Sequence, residues 1–241
     1  MASIKCSSES IQFEKPPSVL VNPKNELHVW KIQAIQNDIS LLNEDEKEIA
    51  SRFRRDGDKF RFITGRSAVR LLASKYLQID PLEIHFSNIK GKKPFITEPV
   101  SQLKFNLSHS GGWVLIAFAN HELGIDIEYI LDDFSIDEIV QDHFTKKEQS
   151  FISGSSNPVV AFFNLWTRKE ALTKAWGMGI GENLRNLPSL DGMHDLTTGM
   201  ASWHVVSINL TEEYKAAIAF PSEISNIRYF EGADLFPYQS K

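Results

Sequence analysis

Asn157-Pro158-Val159-Val160-Ala161-Phe162-Phe163-Asn164-Leu165-Trp166-Thr167-Arg168-Lys169-Glu170-Ala171-Leu172-Thr173-Lys174-Ala175-Trp176-Gly177 carries its own start and stop signals. Asn157 can cap a helix with its side chain, and Pro158 suits the first helical position, where its N–H is not missed. Phe162, Leu165, Trp166, Leu172 and Trp176 line this helix, and Gly177 supplies the left-handed residue that ends it. A second long helix is expected over about 59–76, where Phe62, Ala68, Val69, Leu72, Ala73 and Tyr76 make one apolar face. Asp80-Pro81 closes that segment, because proline disfavours helix in the residue before it. A shorter helix opens at Leu41-Leu42-Asn43-Glu44, with Asn43 as its cap. Ile136, Ile139 and Val140 give helical spacing within 131–149. Strands are expected at Leu27 to Trp30, at Ile84 and Phe86, from Trp113 to Ala119, and from Leu123 to Ile130. Two more are expected from Trp203 to Asn209 and from Ala216 to Phe220.

Helix and strand are interspersed without a regular βαβ rhythm, which predicts an α+β fold. Residues 1–24 read as a loose, proline-bearing lead-in. The rest divides into an N-terminal half, 25–120, and a C-terminal half, 121–241, each with a long helix and a mainly antiparallel sheet. With 42% hydrophobic and 24% charged residues in 241, the chain can bury a sizeable core and is neither disordered nor low-complexity. Its net charge of −5 argues against a general nucleic-acid binder. The single cysteine, Cys6, excludes an intrachain disulfide and a Cys-rich zinc site, and fits a reducing, cytoplasmic compartment. No run approaches the roughly 18 apolar residues of a membrane helix. The first residues lack the apolar core of a secretory signal, and Ala2 departs from the myristoylation pattern.

In Gly124-Ile125-Asp126-Ile127-Glu128 the strand period puts Asp126 and Glu128 on one face, roughly 7 Å apart. Two carboxylates so placed are either a solvated strand edge or ligands of a hard cation, most simply Mg²⁺ bound to a phosphorylated substrate. Glu170 and Lys174 lie four apart on the long helix and share a face. Spacing alone reads them as a surface ion pair; as a site, the carboxylate can ligate metal or take a proton while the ammonium holds a phosphate. Ser108-His109-Ser110 lacks the glycine of a hydrolase nucleophile elbow. Gly177-Met178-Gly179-Ile180-Gly181 follows a helix rather than a strand, so it fails the dinucleotide-binding context.

Taken together, Gly124-Ile125-Asp126-Ile127-Glu128 and Trp166-Thr167-Arg168-Lys169-Glu170-Ala171-Leu172-Thr173-Lys174-Ala175 resemble the two signature motifs of the 4′-phosphopantetheinyl transferases. Upstream, Gly91-Lys92-Lys93-Pro94 and Phe105-Asn106-Leu107-Ser108-His109-Ser110 resemble two further motifs of that family, in the same order. The length is similar to that of the Sfp-type branch, which implies a monomer built as a pseudo-dimer of two similar halves with coenzyme A in the cleft between them. The implied reaction moves the phosphopantetheine arm of coenzyme A to a serine of an acyl or peptidyl carrier protein domain, releasing adenosine 3′,5′-bisphosphate. By the same resemblance Mg²⁺ is held by Asp126, Glu128 and Glu170, and Glu170, Lys174 and His109 are the catalytic group. Lys93, Ser108, His109 and Lys174 are implied to bind the coenzyme. One position departs from the family: Ile49 stands where a basic residue is common, and Lys47, Arg52 or Arg61 is expected to compensate at the 3′-phosphate. Lys146, Lys147, Arg168 and Lys169 are expected to form a basic surface for an acidic carrier. Alternative readings are a catalytically silent carrier-binding module and a Mg²⁺-dependent nucleotide phosphohydrolase.

Overall fold

The computed structural model describes residues 2–35, 38–87, 93–131, 134–178, 184–195 and 201–236. In chain order these hold β1 (Ser3–Glu9), β2 (Glu26–Gln33), α1 (Glu44–Ser51), α2 (Asp56–Leu77), β3 (His85–Phe86), β4 (Ile96–Glu98), β5 (Lys104–Ser110), β6 (Trp113–Ala119), β7 (Gly124–Tyr129) and α3 (Asp137–His143). They continue through α4 (Lys146–Ser153), α5 (Pro158–Trp176), β8 (Gly192–Asp195), β9 (Trp203–Thr211), β10 (Tyr214–Pro221) and β11 (Asn226–Glu231). The fold is α+β. Two compact units divide the chain, one comprising Met1–Ile11, Gly91–Lys93 and Glu122–Ser225, the other Gln12–Lys90, Pro94–His121 and Asn226–Lys241.

In the unit that carries α2, the strand order is β11-β2-β6-β5. Strands β2, β6 and β5 pair antiparallel, and β11 joins β2 in parallel. Helix α2 packs on β5 and β6, where Trp30, Leu72, Phe105, Phe118 and Phe230 share one buried cluster. Asn43 caps α1 as expected, and the cap is reciprocal: its side chain accepts from the Glu46 N–H while the Glu46 carboxylate accepts from its own N–H. The same buried Glu46 carboxylate meets Arg70 of α2 at 2.9 Å, so one acid both caps α1 and ties it to the long helix.

The unit that carries α5 has the strand order β7-β10-β9-β1-β8. Pairing is antiparallel except between β1 and β9. Helix α5 lies against β7, β10 and β9. Ala171, Leu172 and Ala175 of that helix pack with Ile4, Cys6, Val205, Ala217 and Ala219. A second cluster joins Phe162 and Leu165 to Phe144 and Ile152. Asn157 accepts the Val160 N–H at the helix start, and Gly177 closes it at φ 66°, as the sequence signals predict. Among the described residues no helix is long and apolar enough to cross a membrane.

Two terminal segments depart from the sequence reading. Residues 1–24 are not uniformly a loose lead-in, because Ser3–Glu9 forms β1 inside the sheet beneath α5. Only Ile4 and Cys6 of this strand face the core, so its alternation is too short to stand out among serines and charges. Its partners lie about 190 to 200 residues away, which local pattern cannot reveal. Likewise β11 belongs with α2 rather than with the rest of the C-terminal half. The two units are therefore not the contiguous halves 25–120 and 121–241.

Cys6 is 2% exposed, and burial pushes its thiol up to about 11. At pH 8 only roughly one thiol in a thousand would then be the reactive thiolate. Alkylation by iodoacetamide should be slow in the native protein and fast in guanidinium. Equal rates in the two conditions would mean that β1 is not docked.

Candidate active site

Gly124 sets the distance between β7 and α5. A Cβ at this position would lie 2.0 Å from the Ala171 carbonyl oxygen and 2.4 Å from the Ala175 nitrogen. Only a residue without a side chain lets the helix backbone approach the strand this closely. Asp126 follows two residues later in the same strand and is 3% exposed, which removes the solvated-edge reading for this acid. Across the gap, Lys174 Nζ donates to Asp126 Oδ1 at 2.6 Å and to the Ile125 carbonyl at 3.3 Å. One turn earlier on α5, Glu170 is 5% exposed and its Oε1 is buried with no hydrogen-bond partner. Burial raises the proton affinity of Glu170, the Asp126 carboxylate raises it further, and the Lys174 ammonium opposes both. Glu170 is thus a buried acid with the partly exposed Lys174 ammonium one turn away, not half of a surface ion pair.

Glu128 is half-buried and sits opposite Lys215 of β10 in the sheet register. Among the described residues no group of three or more His, Cys, Asp or Glu side chains is arranged as a ligand set. Asp126 is instead engaged by the Lys174 ammonium, which offsets its negative charge directly.

The two basic residues before Glu170 are not on the surface, contrary to the expected docking patch. Arg168 is 1% exposed and Lys169 is fully buried. Arg168 donates to Ser207 Oγ (2.8 Å), the Ser189 carbonyl (2.6 Å), the Ser7 carbonyl (3.1 Å) and Ser8 Oγ (3.0 Å), and pairs with Asp191 at 2.7 Å. One planar guanidinium thereby fastens α5 to β1, β9 and the approach to β8. Lys169 Nζ pairs with Glu148 of α4 at 3.0 Å and donates to the Leu184 and Leu187 carbonyls at 3.0 and 2.5 Å. Glu148 also accepts from Ser189 Oγ at 2.5 Å and closes a capping box on Thr145. Sequence reasoning passed over Glu148, although Thr145-Lys146-Lys147-Glu148 is a capping-box pattern that could have located the start of α4. Lys146 and Lys147 are the exposed members of the expected basic group.

In the other unit, β5 carries Ser108 buried and His109 exposed, as the strand period requires. Arg61 of α2 donates to the Gly111 carbonyl at 2.8 Å, just beyond them, and also pairs with Asp58. Of the three cations expected to stand in for Ile49, Lys47 pairs with Glu44 and Arg52 with Glu48, so Arg61 is the one held at the β5–β6 turn. Lys93 belongs with the α5 unit: its Nζ donates to the Leu123 carbonyl at 2.6 Å and pairs with Glu122 at 3.3 Å. Gly91-Lys92, and Gly179 to Gly181, lie outside the described residues.

A buried acid oxygen without a hydrogen-bond partner thus lies near an ammonium, on a helix held to a glycine-led strand. The sequence as a whole is similar to known proteins. Residues 122–220 match the family model described as 4′-phosphopantetheinyl transferase superfamily, and residues 30–121 match 4′-phosphopantetheinyl transferase, N-terminal. The chain is 30% identical over 179 residues to the 4′-phosphopantetheinyl transferase HetI of a Nostoc species, covering 70% of this chain and 75% of that protein. It is 29% identical over 205 residues to the 4′-phosphopantetheinyl transferase Sfp of Bacillus subtilis, covering 80% of this chain and 90% of that one. It is also 33% identical over 159 residues to a phosphopantetheinyl transferase of a Thraustochytrium species, covering 60% and 55%. The chain belongs to the 4′-phosphopantetheinyl transferase superfamily, and it is an enzyme of that class.

Proposed function

We propose that this enzyme transfers the 4′-phosphopantetheine arm of coenzyme A to the serine hydroxyl of an acyl or peptidyl carrier protein domain, with Mg²⁺ as cofactor and adenosine 3′,5′-bisphosphate as the other product. The observation that carries the reading is Glu170 with its orphaned, buried Oε1 beside the Lys174–Asp126 contact. That oxygen and the Asp126 carboxylate are hard donors of the kind Mg²⁺ prefers, so the residues fit the ion. Asp126, Glu170 and Glu128 would hold it, and when bound it would neutralise charge on the coenzyme's pyrophosphate.

The carrier serine oxygen attacks the phosphorus bearing the pantetheine arm, and the bond from that phosphorus to the oxygen of the adenosine bisphosphate breaks. Glu170 takes the serine proton, a role favoured by its raised proton affinity. Lys174 stabilises the charge that develops on the leaving phosphate. Ser108 and His109 serve the coenzyme's adenylate phosphates, with His109 exposed on β5. Lys93 supports nucleotide binding, and Arg61 is the candidate for the 3′-phosphate. We infer a cytoplasmic setting, a reading supported by the lone buried thiol of Cys6, and a monomer, a reading supported by the two family segments lying in tandem in one chain.

Adenosine 3′,5′-bisphosphate should appear in step with carrier modification when protein, coenzyme A, Mg²⁺ and an apo carrier are mixed, as read by chromatography. Omitting the carrier should abolish it. Nucleotide release at the same rate without a carrier would replace the transferase by a phosphohydrolase.

A further inference from the structure

We propose that Lys174 is an internal counter-ion of the metal site, so that a divalent cation takes Asp126 only when this ammonium is passed to a phosphate of coenzyme A. The inference rests on the transferase reading and adds an order to it. Lys174 Nζ holds Asp126 Oδ1 at 2.6 Å, and Asp126 is almost wholly buried, so the contact lies where charges attract strongly. The ammonium adds a bond to the Ile125 carbonyl, which fixes it on the strand side of the site. Glu170, one turn away on the same helix, keeps a buried oxygen without a partner. The site therefore presents one acid already neutralised and one acid oxygen still awaiting a ligand.

A second cation drawn to that oxygen meets the ammonium as a like charge. Lys174 can yield without moving the backbone. It lies in the last turn of α5, its side chain is 26% exposed, and its stem is a flexible chain of four carbons. The pyrophosphate of coenzyme A offers it an anion in exchange for Asp126. Binding of the coenzyme and of the metal should therefore be cooperative, and the coupling should be reciprocal.

The test uses Mn²⁺ as the probe and the full chain without any carrier, with free Mn²⁺ read from its electron paramagnetic resonance signal. The wild type alone should bind Mn²⁺ weakly. Lys174→Met should bind it more tightly, on the order of tenfold or more, because a unit positive charge has left the site. Coenzyme A should strengthen Mn²⁺ binding less in the variant than in the wild type. Lys174→Gln, neutral but still polar, should repeat both effects, which guards against a folding defect in the first variant. Asp126→Asn should weaken Mn²⁺ binding when introduced into Lys174→Met, and when introduced into the wild type only with coenzyme A present. Equal or weaker Mn²⁺ binding in both Lys174 variants, each confirmed folded by circular dichroism, would overturn the proposal. No turnover is measured, so that result would leave the transferase reading standing.

Discussion

Glu170→Gln should bind coenzyme A and Mg²⁺ yet lose about 10²- to 10⁴-fold in kcat, the usual contribution of a positioned general base. Glutamine keeps the size and one ligating oxygen of the side chain but cannot accept the serine proton. The position is buried, and its environment already favours a proton through desolvation and the Asp126 charge. The loss should appear in kcat rather than in KM for coenzyme A, because an interaction made only during proton transfer has been removed. Asp126→Ala and Glu128→Ala should behave differently, with part of the rate restored by high Mg²⁺, since they remove ligands and leave the base. Near-normal kcat for Glu170→Gln at saturating Mg²⁺ would leave Glu170 as a ligand only.

Lys169→Met should destabilise the protein by about 3–5 kcal/mol, the cost of leaving one member of a buried ion pair uncompensated. Glu148 is 3% exposed and would face an apolar replacement in place of its ion-pair partner. The ammonium also serves the Leu184 and Leu187 carbonyls, so their acceptors would lose a donor as well. The double variant Lys169→Met/Glu148→Gln should recover part of the loss, because neither charge remains to be desolvated while glutamine can keep the capping box on Thr145. Guanidinium denaturation of the single and double variants measures both effects. A loss below about 1 kcal/mol for the single variant, the usual worth of an exposed pair, would contradict the buried geometry.

Much of this was legible in the sequence because it is written in local chemistry. The Asn157 cap, the Pro158 start and the Gly177 stop located α5, and the Asn43 cap located α1. Period-two spacing placed Asp126, and helical spacing placed Lys174 on the face of Glu170. What local pattern could not show was burial by distant chain. Arg168 and Lys169 read as surface cations because basic side chains mostly are, yet their partners come from Ser7, Ser8, Glu148, Ser189, Asp191 and Ser207. The strand β1 was missed for the same reason, since it is stabilised by β8, β9 and α5 rather than by its own composition. Gly124 opened a recognised motif, but its reason became visible only with the Ala171 carbonyl lying against it.

The most direct test of the central claim is intact mass spectrometry of an apo carrier domain incubated with this protein, coenzyme A and Mg²⁺. The account predicts that the carrier gains the mass of one phosphopantetheine group, and that a carrier with alanine in place of the acceptor serine gains nothing. An unchanged carrier mass across a panel of acyl and peptidyl carriers, with the protein folded and coenzyme A present, would contradict it.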